Sequence, residues 1–188
     1  GCVRSIEVRL DAQRPLLRVR HAVTNRGPRA VELSPWAITQ LPPHGTAILP
    51  QPTARRGHAT RPDRIVVLWP YASWDDPRLA VRDGLLAIAG TPGPELKVGS
   101  AVEAGWAAWV RDGVAIVRRW AHAQGATYPD LGCSAEVFVT DRYTELEVLG
   151  PLAVLEPGDR TSLDETWELR EVGSADPGQL RETLAEPI

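Results

Sequence analysis

An alternation with a period of two residues runs along most of this chain and leaves little room for anything but β-sheet. Residues 5–10 set Ile6, Val8 and Leu10 against Ser5, Glu7 and Arg9, and Leu16–Asn25 sets Leu17, Val19, His21 and Val23 against Arg18, Arg20 and Thr24. Successive side chains of a strand point to opposite faces, so this spacing turns one face to a core and the other to solvent. Arg26-Gly27-Pro28 punctuates the chain before a further strand at residues 30–34. Residues 46–49, Leu85–Ala89, 133–140, 143–149 and 162–172 also read as strands, and residues 65–69, apolar throughout, read as a strand buried on both faces. Residues 106–110 and Val114–Trp120 flank Arg111-Asp112-Gly113, a strong hairpin signal because Asp-Gly tolerates the positive φ angles of a tight turn. Beyond residues 46–49, the Pro-, Gly-, His- and Arg-rich region up to residue 62 reads as an irregular loop. Only the tail has a helical pattern: Asp176 suits a cap, Pro177 the first turn, and Leu180 and Leu184 are spaced i,i+4. The expectation is an all-β antiparallel sandwich forming one domain over residues 1–172, followed by a tail at 173–188 with a short helix.

Composition narrows the function classes. With 188 residues, 43% of them hydrophobic, the chain can bury one substantial core. A net charge of −3 offers no electrostatic reason to bind nucleic acid. No apolar run approaches the ~20 residues of a membrane-spanning helix. Cys2 and Cys133 read as free thiols rather than a disulfide scaffold, and the cytoplasm is the favoured compartment. His44, His58 and His122 have no partner at metal-ligand spacing, and Asp75-Asp76 reads as a solvated pair, so no metal is expected. Neither a phosphate-binding glycine loop nor a Gly-x-Ser-x-Gly elbow is present, and no cofactor is implied. Lys97 stands alone against twenty arginines. It reads either as a solvated side chain after the Pro92-Gly93-Pro94 loop or as a site residue, where a compact ammonium cannot be exchanged for an arginine fork.

The stretch from Gly132 to Trp167 places Glu136 inside an otherwise strand-like segment and closes on Pro151, Leu155, Pro157 and Gly158 before a last strand. This Gly-x-x-x-Glu strand and Pro-x-x-x-Leu-x-Pro-Gly turn resemble the C-terminal end of the aldose-1-epimerase, or galactose mutarotase-like, family. Val23-Thr24-Asn25-Arg26-Gly27, followed by Val31-Glu32-Leu33-Ser34-Pro35-Trp36, is similar to that family's strand, turn and next strand. Pro35-Trp36, Lys97-Val98-Gly99 and Gly105-Trp106 match a Trp-rich, uncharacterised branch of the superfamily. The resemblance covers about residues 5–172 and implies a large β-sandwich in which Glu136 holds the place of the catalytic glutamate. Where many sugar epimerases carry a catalytic histidine, Ser34-Pro35-Trp36 stands instead, so no histidine is carried over. The chain has no methionine, and the resemblance implies that sandwich strands upstream of Val3 are missing from it.

The remaining polar and aromatic groups suit a sugar. Sugars offer apolar C–H faces to aromatic rings and hydroxyls to carboxylates and cationic donors. The candidates are Trp36, Trp69, Tyr71, Trp74, Trp106, Arg118, Tyr128 and Asp130 for binding, with Glu136 as base and Lys97 as acid; Trp109, Trp120 and Trp167 read as core. His21 and Arg118 are the other options for the acid, but His21 sits on an apolar face and arginine stays protonated. Glu145 and Glu147 read as a solvated face. Two functions remain open: a protein that binds or processes a carbohydrate or sugar phosphate, with epimerase activity its most specific form, or a non-catalytic structural or interaction sandwich that has lost the acid–base pair. An open edge completed by another chain, as in a homo-oligomer, is a third possibility.

Overall fold

A computed structural model describes residues 1–53, 62–82, 84–173 and 177–188. In chain order the strands are β1 (Cys2–Leu10), β2 (Leu16–Asn25), β3 (Val31–Leu33), β4 (Trp36–Leu41), β5 (Thr46–Pro50), β6 (Val66–Leu68), β7 (Leu79–Arg82) and β8 (Leu85–Ala89). They continue as β9 (Leu96–Ser100), β10 (Trp106–Arg111), β11 (Val114–Trp120), β12 (Ala135–Val139), β13 (Thr144–Leu149), β14 (Ala153–Leu155) and β15 (Arg160–Glu171), and the helix α1 (Pro177–Ala185) follows. An eight-stranded sheet runs β1-β2-β15-β11-β10-β5-β8-β7, and a five-stranded sheet runs β4-β13-β12-β9-β6; β14 and β3 form a small third pair. Neighbouring strands are antiparallel, as expected of this all-β sandwich.

The two large sheets meet through alternate residues. Ala47, Leu49, Leu86, Ile88, Ala107, Trp109 and Leu163 of the larger sheet pack on Leu96, Val98, Ala135, Val137, Val139, Leu146 and Val148 of the smaller. Trp109 fills this layer so closely that a Cβ at Gly45 or Gly90 would stand 2.3 or 2.4 Å from its ring, which restricts both positions to glycine. The intervening residues Ile48, Leu85, Ala87, Ala108, Ala115 and Val117 face the other side, where Leu180 and Leu184 of α1 cover them. The period-two and i,i+4 patterns therefore meet on one surface.

The Arg111-Asp112-Gly113 hairpin forms as read, with φ of 51° at Asp112 and 76° at Gly113. Two expectations change. Residues 65–69 contribute β6, a half-buried edge strand rather than one buried on both faces. Lys97 lies inside β9, all of whose residues are buried, rather than in a solvated loop end. The cap assigned to Asp176 and the loop position of His58 lie outside the described residues. Among the described residues, no helix is long and apolar enough to cross a membrane.

Candidate functional site

The face of the five-stranded sheet turned away from the core gathers one chemical group from each of five successive positions. Glu136 on β12 stands directly across from Glu147 on β13 and from Gly99 on β9. Lys97 occupies the same face of β9, two residues before Gly99, opposite Phe138. Trp36 opens β4 at one edge, and Trp69 continues the other edge beyond β6, its N–H donating to the Lys97 carbonyl at 3.3 Å. The long lysine side chain crosses this face so that Nζ lies 2.8 Å from Glu136 Oε2 and donates a hydrogen bond to Glu147 Oε2 at 3.1 Å. Of the two contacts, only the one to Glu147 has the angles of a hydrogen bond. Nζ also lies 5.0 Å from the Trp36 ring centroid and 4.6 Å from that of Trp69, within cation–π range of both. The Trp36 indole N–H completes the group by donating to Glu147 Oε2 at 2.8 Å.

Glycine at position 99 makes room for this arrangement. A Cβ there would stand 2.6 Å from Cys133 Sγ and 3.2 Å from Glu136 Cγ. The approach to β12 is also unusual: Asp130, Leu131 and Gly132 all have left-handed backbone, with φ of 48°, 62° and 101°. Non-glycine residues adopt that conformation at a cost, and here it brings the exposed Asp130 carboxylate near Glu136. Tyr71 packs its ring edge-on against Phe138 at 6.5 Å. Trp36 and Tyr71 remain about half exposed, at 54% and 49%, beside a buried polar floor.

Burial sets the electrostatics. It pushes the Glu136 carboxyl up to about 8, against the pull of Lys97 and with the help of Glu147 and Asp130. It raises Glu147 as well, opposed by Lys97 and by the Trp36 hydrogen bond. For Lys97, burial works against the charge, but the two glutamates outweigh it and hold the ammonium above its usual value. The Cys133 thiol, pushed up to about 12 by burial, is inert as a nucleophile. One cation thus serves two buried carboxyl groups, both of which burial makes harder to ionise.

Of the residues singled out from the sequence, Trp36, Trp69, Tyr71, Lys97, Asp130 and Glu136 come together on this face. Arg118 and Trp106 do not. Arg118 is buried between the sheets, where Nε and Nη2 donate to Glu165 at 2.7 and 2.8 Å and its guanidinium also reaches the carbonyls of Leu146 and Ala37. His21 lies there too, 3.1 Å from Glu165, and is no partner for Glu136. Trp106 is buried beneath α1 on the far side of the larger sheet. Tyr128 is buried as well, stacked on His122 at 4.8 Å. Glu147, assigned to a solvated face, is instead a fully buried member of the site.

In fold, this β-sandwich is similar to solved proteins of the aldose 1-epimerase type. The chain superposes on a proposed aldose 1-epimerase of Escherichia coli K12 with a TM-score of 0.55 and 17% identity, over 91% of its own length and 61% of that protein's. A proposed aldose 1-epimerase of Klebsiella pneumoniae gives a TM-score of 0.56 at 12% identity, over 98% of this chain and 54% of that one. A TPR-domain-containing protein of Parabacteroides distasonis gives 0.54 at 14% identity, with 95% of this chain and 32% of that one covered. The chain therefore spans less than two thirds of the length of these structures, and at such identities the likeness is one of fold. No protein-family model matches the chain, and no curated protein does.

Proposed function

We propose that the outer face of the five-stranded sheet binds a carbohydrate, with Glu136, Glu147 and Lys97 as its polar floor and Trp36, Trp69 and Tyr71 as its stacking surfaces. The observation that carries this reading is the Lys97 ammonium held between two indoles while touching both glutamates. Half-exposed aromatic rings beside buried, convergent polar groups are what a sugar requires: the rings take its C–H face and the charges take its hydroxyls. The single cation is already engaged by two buried glutamates, and the Asp130 carboxylate lies beside Glu136. That balance favours a neutral sugar over a sugar phosphate.

Processing of the 1-epimerase type makes different demands on the same groups. Glu136 is available as a base only when it loses its proton, which it does as pH passes about 8. Lys97, held as a cation by two carboxylates, gives up a proton reluctantly and is a weak acid. Sugar binding is therefore the stronger part of the reading, and proton transfer belongs to alkaline pH.

Tryptophan fluorescence titrated with a panel of neutral monosaccharides and oligosaccharides tests binding. A saturable response that Trp36→Ala diminishes is expected, and silence across the panel from folded protein would remove the carbohydrate reading. Polarimetry of freshly dissolved aldoses tests catalysis separately. An acceleration that grows between about pH 7 and 9 and disappears in Glu136→Gln supports processing, whereas binding without acceleration limits the protein to recognition.

A further inference from the structure

A second open feature lies at the edge of the larger sheet. Strand β1 pairs with β2 in unbroken register from Cys2↔Asn25 to Leu10↔Leu17. Its other edge pairs with no strand among the described residues, and every residue of it is exposed. Ile6, Val8 and Leu10 keep 65%, 59% and 76% of their surface in solvent, although all three point to the same side as the core-facing residues of the sheet. A long, straight, free edge with apolar side chains is a template for another strand. Neither a proline nor a bulge interrupts it.

We propose that two copies of this chain join edge to edge through β1, antiparallel, with Val8 facing Val8 of the second copy on a two-fold axis. The sequence itself selects this register. An axis perpendicular to a continuous sheet sets residues of the same face opposite one another, so only whole-residue centres are allowed. Centred on Val8, Ile6 faces Leu10 of the second copy and Leu10 faces its Ile6, which makes one side wholly apolar. On the other side Glu7 faces Arg9 and Arg9 faces Glu7, giving two opposite-charge pairs. Other centres spoil both faces or one: Ile6 at the centre sets Arg4 against Val8 and Val3 against Arg9, Glu7 sets two carboxylates together, and Arg9 sets two guanidiniums together.

Both faces continue into matching surfaces of the same chain. The apolar pairs extend Val19 and Leu17 on β2 toward an apolar groove of about 390 Å³ lined by Leu10, Pro15, Leu17, Ile116, Trp167 and Leu169. The charged pairs extend the side that carries Arg18, Arg20 and Asp164. Within one copy Glu7 and Arg9 approach only to 3.7 Å and Glu7 also faces Arg20 on β2, but both side chains are largely exposed and able to reach across the axis.

Sedimentation equilibrium of the 188-residue chain tests the proposal, with circular dichroism to confirm that each variant is folded. A dimer is expected. Glu7→Arg alone, or Arg9→Glu alone, places like charges opposite one another twice and should weaken the dimer at least about tenfold. The double reversal E7R/R9E restores opposite charges and should restore the dimer. Val8→Lys, which sets two ammonium groups across the axis, should abolish it without disturbing the rest of the sheet. A folded wild-type chain that stays monomeric at high concentration overturns the proposal, leaving this edge to some other occupant. So does a dimer indifferent to the single reversals, or one that the double reversal fails to restore.

Discussion

Glu136 pays for its position with its charge. A carboxyl that ionises near 4.5 in an unfolded chain is pushed by burial to about 8 in the fold. Below 4.5 both states are protonated and the group is neutral to stability. Between about 4.5 and 8 the unfolded chain has released its proton while the folded chain retains it, so stability falls as pH rises, and above 8 the slope ends. Glu147 is shifted in the same direction. Glu165 is shifted the other way, because His21 and Arg118 outweigh its burial, so its contribution is present above its unfolded value and lost in acid. The thermal midpoint should therefore peak near about pH 5 and decline toward 8, and Glu136→Gln should flatten the alkaline limb. A midpoint equally steep in the variant would mean that the titration belongs elsewhere.

At this scale the sequence revealed Glu136 and Lys97 but hid Glu147. Alternation alone says that Glu145 and Glu147 share a face, not which face it is. The missing fact is the turn. Thr140 Oγ1 accepts from the N–H groups of Arg142 and Tyr143, closing a tight loop that pairs Val139 with Thr144 and thereby sets Glu147 against Glu136. Thr-Asp-Arg-Tyr carries none of the glycine or asparagine that advertises such a turn.

Among the elements, α1 shows how a short helix with little intrinsic stability is held by the surface beneath it. Leu184 is fully buried against the outer face of the larger sheet, with Leu180 one turn before it. Leu184→Ala should cost about 2–5 kcal/mol in denaturant unfolding, as expected when a packed leucine leaves a cavity. A cost under about 0.5 kcal/mol, the size of an ordinary surface change, would show the helix to be merely laid on the sheet. The β10–β11 hairpin was legible because Asp-Gly declares its turn. Strand β9 was not, since Lys97 and Gly99 are poor strand formers and signal nothing of their burial. Strand β4 was hidden in a similar way, starting directly after Pro35 at what looked like a strand's end.

Over the whole molecule, the two sheets are joined by more than apolar contact. Arg118 rises from β11, grips Glu165 of β15 with two hydrogen bonds, and reaches across to backbone carbonyls of β13 and β4 in the opposite sheet. Trp167 stacks beneath it at 5.1 Å. Arg118→Ala should cost about 3–5 kcal/mol because it strands a buried carboxylate, and chemical denaturation measures it. A loss below about 1 kcal/mol would mean that water or rearrangement compensates Glu165. None of this could be read from the chain beforehand, because the partners are 28, 47 and 81 residues apart and meet only through strand order. The class of fold was legible since alternation is local; the order of strands was not, since it is set by non-local pairing.

The solitary lysine gives the folded protein an unusual chemical signature. Its amine is shielded between two indoles, and two neighbouring acids keep it charged, so it lacks the free lone pair that acylating reagents attack. Lys97 carries the one ε-amine of these 188 residues, so a label on that nitrogen is read without interference from another lysine among them. Any acylation at position 97 then reports that the indoles have parted, which makes the labelling rate of one nitrogen a direct gauge of how often this site opens.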